Sequence, residues 1–283
     1  MIHPDPTTPA ALAAIAFEGA LLLGGLWLIW RLVARPAARA SRQVRLPEWR
    51  LAPVDFACFL CFGFVGAMAL SAVAGLVFRH VRLASDAATV VGSAMMEGGF
   101  LLGIAGFYAM YGARARGAAA APALLPALKS GLATFLIVIP VVDTLSFVWG
   151  YAIDRMGLPD EKQEMLGLFE NMHSAALRWL FVALAAVLVP AAEEILFRGG
   201  LFRYFRTRAP RWAALWLTSA LFGALHVAWG HPVVGLQSLL PLTALAAIFC
   251  LAYERTGLVG TTIVAHALFN LNTMFLVLTG IGS

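Results

Sequence analysis

Apolar residues in this chain fall into eight long runs, and polar residues are held mostly to the connections between them. The runs are roughly Ala10–Trp30, Phe56–Phe78, Ala87–Tyr111, Leu124–Ile153, Ala175–Tyr204, Trp212–Trp229, Val233–Tyr253 and Leu258–Leu278. A helix of about 20 apolar residues crosses a bilayer. In lipid only structures that satisfy every backbone group internally can do so. The pattern therefore predicts an all-α fold, a polytopic membrane helical bundle with about eight transmembrane helices. All eight share one lateral packing problem, so residues 1–283 are read as a single membrane domain. No internal repeat is evident, and Ala118–Ala121 reads as a loop or a helix start.

Composition agrees with this reading. The 283 residues are 61% hydrophobic and only 12% charged, where soluble domains carry about 25% charged residues. A net charge of +5 does not point to nucleic acid, because the arginines cluster beside the spans, where such residues set orientation. Arg31, Arg35, Arg39, Arg42, Arg45 and Arg50 follow the first span. Arg114, Arg116 and Lys129 lie near the third-to-fourth connection, and Arg203, Arg206, Arg208 and Arg211 near the fifth-to-sixth. These three loops are expected on the cytoplasmic side, with both termini and the acidic stretch from Asp154 to Glu170 outside; Arg79 and Arg82 vote against. The stretch 154–170 reads as a plain loop, with an amphipathic lid as the alternative. Met1–Pro9 lacks a basic region, so no cleaved signal peptide is expected. Cys58, Cys61 and Cys250 all fall in apolar runs and read as small packing residues.

Three runs break the apolar rule. The fifth carries Glu193-Glu194 and Arg198, the sixth carries Phe222-Gly223-Ala224-Leu225-His226, and the eighth contains His266 and Asn270. Ionisable groups at membrane depth cost several kcal/mol, so by default they mark a functional site. Glu194 and Arg198, four apart, share a helix face and can pair. Glu193, rotated by about 100°, can point elsewhere, toward a cavity. The bland alternatives are an ion-pair network that pins helices, a packing histidine at 226, and an interhelical clamp at His266 and Asn270. A pinning network needs only one of the two acids. Helix rise puts His226 about 21 Å beyond Trp212 and Glu193 about 16 Å before Tyr204, so those depths can coincide from the cytoplasmic side. His266 stands only about 12 Å from Leu258 and looks shallower. Glu18, Glu97 and Asp143 also lie inside spans and read as paired, near water, or facing the cavity; His173 and His231 read as solvated loop residues.

Glu-Glu-x-x-x-Arg, Phe-x-x-x-His and His-x-x-x-Asn, in this order on successive spans, resemble the motifs of the CAAX-processing and bacteriocin-processing (CPBP, or "Abi") intramembrane proteases. The resemblance covers roughly 175–275, the expected catalytic core. Residues 1–174 match only in being helical and apolar, and their role stays open. The resemblance implies an intramembrane endopeptidase in which Glu193 activates water with help from His226. His266 and Asn270 would stabilise the oxyanion, and Glu194 and Arg198 would support the site. It implies a membrane-embedded or lipid-anchored peptide substrate, and a bacterial inner membrane for this Ala- and Arg-rich, Lys-poor chain. The expected cofactor is none, with zinc as the alternative. Two histidines and a glutamate suit zinc, but the His-Glu-x-x-His spacing is missing. A non-catalytic scaffold on the same fold and a proton-coupled transporter are the competing functions.

Overall fold

A computed structural model describes residues 9–40, 44–81, 83–116, 123–157, 167, 169, 172, 174–227 and 232–279. Arg42, Arg82, His173, His231, Trp229 and most of the 154–170 stretch lie outside the described residues. The elements are α1 (Pro9–Ile29), α2 (Pro36–Ala40), α3 (Pro53–His80), α4 (Ser85–Arg116), α5 (Leu124–Arg155), α6 (Ala175–Arg206), α7 (Arg211–Leu225), α8 (Pro232–Thr256) and α9 (Val259–Thr279). Among the described residues every regular element is helical, so the protein is an all-α polytopic bundle. Among the described residues, seven helices are long and apolar enough to cross a membrane.

The sixth run departs from its expected length. The helix was expected to reach Trp229, but α7 stops at Leu225 after 15 residues, about 22 Å of rise and too short to span. His226 is its C-terminal cap, with a backbone N–H that donates to the Gly223 carbonyl at 3.1 Å. A histidine expected inside the helix therefore sits at its end, within the bundle.

Helix α6 is the centre of the structure. Its residues belong to all four apolar clusters, through Ala192, Phe197, Phe181 and Phe202 respectively. Of its apolar window 44% is buried, against 11% for α1, so α6 is the axis and α1 is peripheral. On one side α3 and α4 pack against it through Phe56, Phe59, Phe100 and Phe107. On the other, α5, α7, α8 and α9 enclose Phe135, Phe222, Leu245, Phe249 and Ala265.

The α3–α4 pair depends on close backbone approach. A Cβ at Gly99 would strike the Gly66 carbonyl, and one at Gly103 would strike the Phe62 carbonyl. Gly99 and Gly103 form a small-xxx-small face of the kind that lets membrane helices touch. Gly103→Val should therefore force α3 and α4 apart and destabilise the protein by about 1–3 kcal/mol, the usual cost of overpacking. A lowered unfolding midpoint in detergent is the measurement that checks this.

One membrane face is pinned by polar contacts. Glu254, 2% exposed at the end of α8, holds Arg206 of α6 at 2.7 Å and Arg211 of α7 at 2.6 Å. The arginine-bearing loop runs under these helix ends. Arg45 and Leu46 donate backbone N–H groups to the Glu254 carbonyl at 3.0 and 3.2 Å. Trp49, fully buried, donates its N–H to Thr207 Oγ1 at 3.0 Å. Arg208 donates to the carbonyls of Trp49, Leu51 and Tyr204. This loop is thus a packed floor under α6, where the sequence suggested only a charged connection.

Candidate active site

Two π-helical stretches, Leu184–Leu188 and Ile195–Phe202, bracket Glu193 and Glu194 in α6. Such bulges recur at functional sites because the extra residue per turn opens the backbone and re-aims side chains. The first has a local cause. Val189 N–H bonds back to the Leu184 carbonyl, which shifts the register by one. In that register the next donor would be Pro190, which has no N–H. The Ala185 carbonyl is orphaned, and Asn270 Nδ2 of α9 donates to it at 2.7 Å. The second stretch contains Gly199-Gly200, weak helix formers.

The two carboxylates have different surroundings. Glu194 is fully buried and accepts from Arg198 Nη1 at 2.7 Å, the pair expected from their spacing. Arg198 is also fully buried. Its Nη2 donates to the Ala246 carbonyl of α8 at 3.3 Å, and its guanidinium lies 4.7 Å from the Phe222 ring and 5.2 Å from that of Phe249. Charge, hydrogen bonds and aromatic faces together offset the cost of desolvating both ions. Among the described residues Glu193 has no lysine or arginine as a direct partner. It faces two imidazoles, with Oε1 3.7 Å from His226 Nε2 and Oε2 3.8 Å from His266 Nε2.

Each imidazole is oriented by its other nitrogen. His226 Nδ1 lies 2.7 Å from the Phe222 carbonyl, which only accepts, so Nδ1 carries the proton. His266 Nδ1 lies 3.0 Å from Glu194 Oε1, a carboxylate paired with Arg198, so it too carries a proton. Both Nε2 atoms are then turned toward Glu193. The gaps of 3.7 and 3.8 Å exceed a direct hydrogen bond, and contacts of this length are commonly mediated by water. Side-chain exposure is 33% at His226, 22% at Glu193 and 7% at His266. The group is therefore approached from the His226 side and closed behind His266.

The apparent shallowness of His266 has a geometric explanation. α9 runs antiparallel to α6 and begins at Val259, whose side chain approaches Gly199. The seven residues from Val259 to His266, about 10 Å of rise, then reach the level of Glu194.

Of the residues singled out from sequence, Glu193, Glu194, Arg198, His226 and His266 come together. Asn270 does not join their hydrogen bonds; it holds Ala185, eight residues before Glu193. Sequence reasoning missed the contribution of α8, which supplies the Ala246 carbonyl and the Phe249 ring. The small residues Ala244, Ala246 and Ala247 were the available signal for close packing there. Cys58, Cys61 and Cys250 are free thiols, and Cys250 lies buried 3.9 Å from Ser219. Among the described residues no three His, Cys, Asp or Glu side chains converge closely enough to hold a metal ion.

Comparison with known proteins agrees with the motifs. Residues 175–272 match the family described as type II CAAX prenyl endopeptidase, Rce1-like. This span holds every residue of the group just described and Asn270. No curated protein and no solved structure matches the chain.

Proposed function

We propose that this integral membrane protein, whose residues 175–272 belong to the Rce1-like CAAX endopeptidase family of peptide-bond hydrolases, cuts a membrane-associated peptide with water activated by Glu193. The carrying observation is the placement of Glu193, a carboxylate with no lysine or arginine partner among the described residues, between two imidazole Nε2 atoms at 3.7 and 3.8 Å.

The chemistry follows from that geometry. A water between Glu193 and His226 gives a proton to the Glu193 carboxylate as its oxygen attacks the scissile carbonyl carbon. The proton then passes to the amide nitrogen, the C–N bond breaks, and the amine leaves with one new carboxylate behind. His226, held by its Nδ1–H on Phe222, orients the water and relays the proton. His266 donates to the oxyanion when both its nitrogens carry protons, its Nδ1–H resting on Glu194. Asn270 has a second amide hydrogen besides the one on Ala185 for the same purpose. Glu194 and Arg198 fix His266 rather than react. No step requires a metal, and zinc dependence is the competing outcome.

The loop after α1 and the α6–α7 connection pack on one face, through Trp49, Arg208 and Glu254. This supports the arginine-rich face as cytoplasmic, with the termini outside, and the Ala- and Arg-rich, Lys-poor composition favours a bacterial inner membrane.

Purified protein should cleave a prenylated CAAX peptide in detergent, read by mass spectrometry of both fragments. Failure to cut that peptide or any lipid-anchored or membrane-spanning peptide in a panel would remove the proposal.

A further inference from the structure

Glu97 is a carboxyl group inside a membrane-spanning helix that the mechanism above does not use. It lies on α4, half-buried, and forms no hydrogen bond or ion pair among the described residues. Its position on that helix is specific. Val90, Ala94, Glu97 and Leu101 follow one another by four, three and four residues, which is one helix face. Val90 and Ala94 belong to the cluster formed with Leu184, Leu188 and Val189 of α6. Leu101 belongs to the cluster formed with Ala192, Ile195 and Leu196. α4 and α6 thus run side by side in the same sense, and α4 touches the Val189–Glu194 segment directly. Glu97, between Ala94 and Leu101, is therefore level with Glu193 on the neighbouring helix. Glu193 therefore has the imidazoles of α7 and α9 on one side and the Glu97 carboxyl on another.

A carboxyl at membrane depth with no protein partner is costly, and the cost is relieved when a ligand supplies the donor. The proposed substrate brings such donors. A peptide stretch opened for cleavage loses its helical hydrogen bonds, and each bare N–H in an apolar setting demands an acceptor. We propose that Glu97 is a substrate-binding residue of this site: its carboxyl accepts a hydrogen bond from an N–H donor of the peptide beside the scissile bond, and so holds that bond against Glu193. The donor is a main-chain amide or a basic side chain. The assignment rests on the endopeptidase reading.

Two measurements test it. In a protein with Cys58, Cys61 and Cys250 replaced by alanine, the pair Glu97→Cys and Glu193→Cys should be joined by a short bifunctional thiol reagent. The pair Met96→Cys and Glu193→Cys should not, since Met96 is 44% exposed on another face. No cross-link for the first pair, or equal cross-linking of both, overturns the placement whatever the activity. In the second, cleavage of the prenylated CAAX peptide is compared for wild type, Glu97→Gln, Glu97→Ala and Glu193→Gln. Both Glu97 variants should keep the wild-type unfolding midpoint and a kcat within about threefold, while KM rises about ten- to a hundredfold, as for loss of a hydrogen bond to a charged group. Peptides N-methylated at the amides flanking the cut, or with basic residues replaced by norleucine, should show the same KM rise with wild type and no further rise with Glu97→Ala. Whichever series does so identifies the donor, and an unchanged KM in both overturns the proposal. If wild type cuts, Glu193→Gln does not, and the Glu97 variants keep the wild-type KM, Glu97 alone is misassigned. If wild type does not cut, or Glu193→Gln cuts as well as wild type, the endopeptidase mechanism falls and takes this role with it.

Discussion

Arg198→Ala is expected to cost about 3–5 kcal/mol, the largest loss of stability of any single substitution considered, because breaking a buried pair strands an uncompensated charge. Arg198 and Glu194 are both fully buried at 2.7 Å from each other. Removing the guanidinium leaves Glu194, among the described residues, with only His266 Nδ1 at 3.0 Å, and takes the Arg198 donor from the Ala246 carbonyl. It also empties the space between the Phe222 and Phe249 rings. Folded yield from detergent-solubilised membranes and the unfolding midpoint should both drop sharply. Arg198→Lys should recover part of the loss, since the charge returns without the forked geometry. A variant that unfolds at the wild-type midpoint would show that the pair contributes little.

Glu193→Gln should leave the fold intact and reduce peptide cleavage by about 10²–10⁴-fold, the usual share of a positioned general base. The substitution is nearly isosteric, and Glu193 has no ion pair with Arg198 to lose. Only its ability to accept a proton disappears. His226→Ala should lower the rate with little effect on stability, because its side chain is one third exposed and its ring contacts chiefly Phe222, 4.4 Å away between centroids. Cleavage rates at saturating peptide, set beside unfolding midpoints, separate these effects from the Arg198 case. Full activity in either variant would remove water activation by this pair.

The contrast between the two predictions reflects what each residue type reveals along a chain. Helical spans are legible because the bilayer leaves few alternatives to long apolar helices, and seven of the eight runs reach the required length. Glu194 and Arg198 are legible as a pair because four residues make one helical turn. Other features depend on contacts that no local pattern encodes. The bulge at Leu184–Leu188 follows from Pro190, but the partner of the carboxamide at Asn270 is visible only once α9 lies against it. The sixth run was expected to carry its helix through His226 and Val227, yet α7 ends before them. Trp49 sits in an arginine-rich loop whose composition suggests solvent, and tertiary packing buries it completely. The depth of His266 could not be read from its own helix, because it depends on where α9 starts relative to α6. The role of α8 was hidden because its contribution is a backbone carbonyl and an aromatic face.

The most direct test compares hydrolysis of one lipid-anchored peptide by metal-stripped wild-type protein and by metal-stripped Glu193→Gln, in the same chelator-treated buffer. The account predicts that wild type keeps its full rate after stripping, gains nothing from added zinc, and exceeds Glu193→Gln by at least about a hundredfold. Loss of wild-type activity on stripping with recovery on adding zinc, or equal rates for the two proteins, would contradict it.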